Sequence, residues 1–222
     1  KIIRKADITM VDDDRKTTKN EKMSMKENER LLIEKFKMIK PVEKSYEEQA
    51  KRRWKTVAKP LFSLGKLEDA VIRMAGIRRK ADFEIKKKGL LIFCADNGVV
   101  SEGVTQTGQE VTRAVAENLA MRRTSVCQMA RAAHCDVVPV DMGMAGERVP
   151  GVRNCRIAAG TADFTTGPAM TRQQAVDAIA AGMGLVRAQK AAGVQLLATG
   201  EMGIGNTTTS SAVAAVLLGQ PV

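Results

Sequence analysis

The run TGEMGIGNTTTSS, residues 199–211, has the composition of an anion cradle. Gly200, Gly203 and Gly205 allow a tight turn and a close backbone approach to a ligand with no Cβ in the way. The apolar stretch that follows reads as a helix capped by Asn206 or Thr207. The free N–H groups of such a helix's first turn, together with its dipole, favour a phosphate. The GxxGxG spacing, with no lysine after it, matches neither the GxxxxGK[ST] loop nor GxGxxG, which argues against ATP hydrolysis and dinucleotide binding. Glu201 sits in the same run. A carboxylate beside an anion site is electrostatically costly, so it is aimed at a sugar hydroxyl or a heterocyclic N–H, or else it is a turn element satisfied by neighbouring N–H groups.

A second polar run, ADNGVVSEGVTQTGQEVT at 95–112, follows the apolar segment LLIFCA. It is longer than the roughly 2 to 6 residues that most such connections need. It reads either as a wall for a ligand or as an ordered surface loop in which Asp96 and Asn97 turn with Gly98.

Both runs must be positioned by strands. LLIFCA (90–95), DVVPVD (136–141) and VQLLAT (194–199) are short apolar runs of the kind buried on both faces of a parallel sheet, and CRIAA (155–159) is a weaker one. Between them, 110–133 reads as helix. The segment 171–193 reads as a helix opened by a capping box of Thr171 and Gln174, and TTTSSAVAAVLLG is another helix. Alternating strands and helices predict an α/β layered fold over 89–222, with a mainly parallel sheet, right-handed crossovers and function at the carboxyl ends of the strands.

Upstream, a capping box of Ser45 and Glu48 predicts a helix stopped before Pro60, and Leu67, Val71 and Met74 place one apolar stripe on a second helix, widened by Ala70 and Ile77. These make a small helical unit over 45–88, anchored by Trp54. Residues 1–44 read as a charged extension with an amphipathic stretch at 31–39.

The chain has 222 residues, of which 44% are apolar, enough for a sizeable core and against generic disorder. Its formal net charge of +11 lies wholly in residues 1–90, with 26 basic and 15 acidic residues; the remainder is balanced. Aromatic residues are only 3%, so stacking platforms for single-stranded nucleic acid are scarce, and a solvated charged face is the favoured reading of the basic excess. No run is long and apolar enough for a membrane span, and the first residues lack the apolar stretch of a secretory signal; the expected location is cytoplasmic. Cys94, Cys127, Cys135 and Cys155 show no CxxC spacing and read as buried thiols. His134, the one histidine, reads as a structural residue at a helix end, and the methionines Met74, Met121, Met129 and Met183 as gap fillers. Neither a metal-ligand spacing nor a Ser/His/Asp set is legible.

Four ordered blocks, KPLFSLGKLEDAVIRMAGI, CADNGVVSEGVTQTGQEVT, GPAMTRQQA and GEMGIGNTTTSSAV, resemble the nicotinate-nucleotide:dimethylbenzimidazole phosphoribosyltransferases of cobalamin nucleotide-loop assembly, over about residues 45–222. The resemblance implies a Rossmann-like large domain with a small helical one, a homodimer, no cofactor, and a glycosyltransferase activity. The implied reaction moves the 5-phosphoribosyl group of nicotinate mononucleotide to 5,6-dimethylbenzimidazole, giving α-ribazole 5′-phosphate and nicotinate. It implies Gly203, Gly205, Asn206 and Thr207 for phosphate and ribose with Glu201 beside them, Met202 for the base pocket, and Thr107 near the acceptor base. Val115 stands where some members are polar, and Phe62 where the KPxGSLG pattern often has glycine. The family's general base is a glutamate in an RLGEG-type segment of the second half. This chain ends at GQPV without one, so it reads as the N-terminal part of such an enzyme, and Glu201 is the substitute candidate for base. The competing reading is a non-catalytic basic protein that contacts nucleic acid or another polyanion through residues 1–90.

Overall fold

A computed structural model describes residues 25–221, which divide into two compact units: a helical one, Glu29–Ile85, and a larger one made of the chain from Lys86 onward with the residues up to Asn28. The first 24 residues of the charged extension lie outside the described residues.

Helix α1 (Met25–Lys37), which belongs to the helical unit from Glu29 on, precedes α2 (Lys44–Thr56) and α3 (Lys66–Arg78), and the last two pack together. The capping box expected at Ser45 is absent. Glu43 is the N-cap with no side-chain cap bond, and Ser45, already inside the helix, donates its hydroxyl to Glu43 Oε1 at 3.2 Å. The stripe expected on α3 also differs, because Leu67 and Ile77 are exposed while Glu68, Ala75 and Gly76 are buried. Glu68 is drawn inward by Lys59 Nζ at 2.5 Å and the Leu64 N–H at 3.1 Å, and the Lys59 ammonium lies 5.2 Å from the Trp54 ring centre. This rotates the buried face of α3 toward the ion pair. Phe62 has φ 56°, a left-handed conformation that favours glycine.

The larger unit is a four-stranded parallel sheet with helices on both faces, an α/β architecture. Its elements are β1 (Lys88–Ala95), a short 3-10 turn (Gly98–Glu102), α4 (Glu110–Ala120), α5 (Ser125–Ala132), β2 (Cys135–Gly143), β3 (Arg153–Asn154), α6 (Arg172–Ala191), β4 (Leu196–Met202) and α7 (Asn206–Leu218). The strand order is β3-β2-β1-β4. Lys88 registers against both Cys135 and Leu196, so β1 is flanked on both sides, as its continuous apolar sequence requires.

Alternation along the strands sends Ile92, Cys94 and Val137 to one face, where they pack with Ala116 and Leu119 of α4 and Cys127 and Ala130 of α5. Leu91 and Val140 face the other way, onto Leu185 of α6. The four cysteines are free thiols; Cys94 is fully buried, and burial pushes its thiol up to about 12, which makes it inert.

Three local expectations are corrected. The helix expected over 110–133 is two helices, broken where Arg122 turns left-handed (φ 61°) and Thr124 recaps the chain by accepting the Cys127 N–H. The third strand is Arg153–Asn154, two residues earlier than CRIAA, because β2 pairs through Val140 and Asp141 with that dipeptide. β4 continues through Gly200, Glu201 and Met202, where the sequence predicts loop; Gly200 sits flat against Ile92, and each of the three pairs with β1. The capping box of Thr171 and Gln174 is present in both directions. His134 follows α5 at φ 50°, with its N–H on the Arg131 carbonyl at 3.1 Å. Met121 and Met129 are exposed and fill no gap. Among the described residues no helix is long and apolar enough to cross a membrane.

Candidate functional site

After β1 the chain pairs next through β2, on one side, and returns later as β4 on the other. The carboxyl ends of β1 and β4 therefore flank the point where the strand order reverses, the crevice in which open α/β sheets bind ligands. Asp96 and Asn97 leave β1 there, and Gly203, Ile204 and Gly205 leave β4.

The glycines of this turn are required by geometry. A Cβ on Gly203 would collide with the Ala95 carbonyl oxygen and lie 2.9 Å from Asn97 Nδ2 and from Glu201 Oε1. Gly205 has φ 85° and is itself the N-cap of α7, with no side-chain cap bond. The sequence expectation that Asn206 or Thr207 caps the helix is corrected accordingly: Asn206 is the first helical residue, because the left-handed turn at Gly205 opens α7 one position earlier. The Asn206 N–H closes back on the Gly203 carbonyl at 3.0 Å, and the next N–H groups, those of Thr207 and Thr208, lie in the first turn, where a helix has no carbonyl for them.

Asn97 ties the two runs together. Its Nδ2 donates to the Ile204 carbonyl at 3.1 Å, its Oδ1 accepts the Thr209 hydroxyl at 3.0 Å, and its own carbonyl accepts Gln109 Nε2 at 3.1 Å. From the other side, Thr112 of α4, wholly buried, accepts the Ile204 N–H at 3.1 Å. The run at 95–112 is thus tied directly to the glycine turn.

Asp96 is 3% exposed and knots the same edge. Its N–H reaches the Gly143 carbonyl, its carbonyl accepts from Thr161, and Oδ2 accepts the Ala145 N–H at 2.7 Å. Oδ1 is buried without a hydrogen-bond partner among the described residues.

Of the residues singled out from sequence, Glu201, Met202, Gly203, Gly205, Asn206 and Thr207 lie together at the end of β4 and the start of α7. Glu201 is exposed on its strand, and its carboxylate accepts from the Asn206 side-chain amide. Although the residue as a whole is exposed, neighbouring atoms partly desolvate its carboxyl, which raises it above its ordinary value, and that amide bond partly offsets the rise. Met202 packs against the α4/α5 core. Thr107 stands apart in the long loop: it is exposed, its carbonyl accepts the Thr105 hydroxyl at 2.5 Å, and none of the hydrogen bonds among the described residues joins its side chain to the turn. Val115 packs on the core.

Sequence reasoning read the run at 95–112 as a candidate ligand wall but gave Asn97, Gln109 and Thr112 no tie to the glycine turn, and it did not single out Thr209. The signals were present only as polar residues at the ends of elements, and Thr112 carried one more: it shares the buried stripe of Ala116 and Leu119. Two cavities lie away from this turn. One of about 410 Å³ is inside the helical unit, lined by Trp54, Val71, Met74 and Phe83, and one of about 370 Å³ lies by Arg122, Arg131 and His134.

Residues 39–222 match the protein family described as Phosphoribosyltransferase, DBI_PRT. Over 176 residues the chain is 46% identical to a protein of Ruminiclostridium cellulolyticum named nicotinate-nucleotide–dimethylbenzimidazole phosphoribosyltransferase, an alignment that covers 79% of this chain and 50% of that one. A protein of Acetivibrio thermocellus with the same name is 40% identical over 188 residues, 84% of this chain and 54% of that one. The crystal structure of CobT from Thermus thermophilus superposes with a TM-score of 0.75 at 39% identity, over 80% of this chain and 54% of that one. The chain spans about half the length of the curated relatives it matches.

Proposed function

Because the chain belongs to the phosphoribosyltransferase family that its residues 39–222 match, we propose that the turn Gly203–Thr207 holds the phosphate and ribose of nicotinate mononucleotide, for transfer of the phosphoribosyl group to 5,6-dimethylbenzimidazole. The observation that carries this reading is the glycine turn that opens α7 beside β1, at the reversal of strand order. The names of the relatives in R. cellulolyticum and A. thermocellus supply the two substrates.

In this reaction the bond from the anomeric carbon to the pyridinium nitrogen of nicotinate mononucleotide breaks, and the pair leaves with nicotinate. A benzimidazole nitrogen forms the new bond, and its ring proton passes to a base. The anomeric carbon passes through an oxocarbenium-like state, so the protein's work is to fix the phosphate end, hold the acceptor ring in line and take that proton. Gly203 and Gly205 give the backbone access, the N–H groups of Thr207 and Thr208 meet the phosphate, and Asn206 and Glu201 face the ribose. Met202 and Thr107 belong to the acceptor side. Glu201, with its raised carboxyl, is a poor base at acidic pH and a competent one above its own titration. The family resemblance assigns the main base to a glutamate of the second half, so Glu201 is secondary. By the same resemblance the working assembly is a homodimer, which sedimentation would check.

Isothermal titration of this chain with nicotinate mononucleotide tests the reading. Saturable binding that Gly203→Val weakens at least tenfold supports it, and absence of binding by the unaltered chain rejects it. Formation of α-ribazole phosphate unaffected by Glu201→Gln removes Glu201 from proton transfer.

A further inference from the structure

The backbone of Ile204 is held at both its N–H and its carbonyl by side chains that come from another part of the chain. Its N–H donates to Thr112 Oγ1 and its carbonyl accepts from Asn97 Nδ2, each at 3.1 Å. We propose that Thr112 and Asn97 are positioning residues for the phosphate end of the ribose monophosphate, acting through the two peptide groups that flank the Ile204 Cα; this rests on the reading of the turn given above.

Gly-Ile-Gly has one Cβ in three residues, so by itself it samples many backbone conformations, and the N–H groups that follow it have no fixed direction. A binding site gains from donors whose orientation is set before the ligand arrives, because the ordering cost is then already met. The two bonds to Ile204 supply that order. They also consume the one donor and one acceptor of that residue, leaving the N–H groups at the start of α7 as the donors for an anion.

Thr112 is an unusual choice for its place. It lies wholly buried in the stripe that Ala116 and Leu119 continue, where an apolar residue would pack, and the bond it accepts from Ile204 is what its hydroxyl adds. Asn97 is itself fixed, by the Thr209 hydroxyl at 3.0 Å and by Gln109 Nε2 at 3.1 Å on its carbonyl. The loop at 98–109 and the phosphate turn therefore share one anchor.

The test uses the full chain, with inorganic phosphate and nicotinate mononucleotide as probes and ligand-free thermal melting in parallel. Thr112→Val keeps the shape and removes the acceptor; Thr112→Ser keeps the acceptor. Asn97→Leu is close in shape, removes the donor to Ile204 together with the acceptor for Thr209, adds no charge beside the anion, and remains informative if the Val variant fails to fold. The expected result is binding of both probes weakened about tenfold in Thr112→Val and in Asn97→Leu, and restored in Thr112→Ser, in proteins that still melt cooperatively. Native-like affinity in Thr112→Val or Asn97→Leu overturns the inference. So does loss of affinity in Thr112→Ser equal to that in Thr112→Val, which would mark a packing role. If the unaltered chain binds neither probe, the reading of the turn falls, and this inference with it.

Discussion

Thr209, on the first turn of α7, donates its hydroxyl to Asn97 Oδ1 at 3.0 Å across 112 positions of sequence. That bond joins the helix after β4 to the residue just past β1, and so fixes the helix start relative to the neighbouring strand. Thr209→Val removes the donor and leaves Asn97 Oδ1 without it. The expected loss is about 1 kcal/mol of unfolding free energy by denaturant titration, with Thr209→Ser close to native. Equal stability of all three proteins would show that the bond is not formed in solution.

Phe62 carries a left-handed backbone at φ 56° while the residue is 73% exposed, so it suffers the strain of that conformation with little burial in return. Phe62→Gly relieves a clash worth about 1–2 kcal/mol and adds some chain entropy to the unfolded state, for a net gain of up to about 1 kcal/mol. Phe62→Ala retains the Cβ and gains nothing. A higher thermal midpoint for Ala than for Gly would contradict this account.

Glu201 is held above the ordinary carboxylate value of 4.5, chiefly by burial and less the bond from Asn206. A raised carboxyl means that the folded state holds its proton more tightly than the unfolded state. Its contribution is therefore most favourable below the ordinary value and declines as pH rises through the folded one. Glu201→Gln abolishes that decline. The gain in thermal midpoint of Gln over Glu should be near zero at acid pH and grow to a plateau at neutral pH. A difference that does not vary with pH would mean that Glu201 titrates normally.

Among the described residues β4 pairs with β1 and with no other strand, and α7 carries Val213, Val216, Leu217 and Leu218 exposed with no buried residue of its own. An open strand edge beside an apolar helix face is a site of association. This chain should therefore self-associate at micromolar concentration, as followed by light scattering, and the double change Val216→Lys, Leu217→Lys should reduce it. A monodisperse monomer of the unaltered chain would refute the prediction.

Much of this fold was legible from residue type alone, since its strands are continuous apolar runs and α6 opens on a Thr171/Gln174 box that works through neighbours three apart. The glycine turn was legible for the same local reason: a backbone that needs φ 85° at Gly205 and has no room for a Cβ at Gly203 leaves its mark on composition. Tertiary contact decided the rest. Glu68 is buried because Lys59 reaches it, Gly205 and not Asn206 is the cap because the turn is pinned from outside, and β4 runs on to Met202 because β1 offers it a partner that far. Asn97 and Thr112 became parts of the site only when the sheet brought β1 beside β4, for a hydrogen bond needs two groups within about 3 Å, and sequence separation says nothing about that distance.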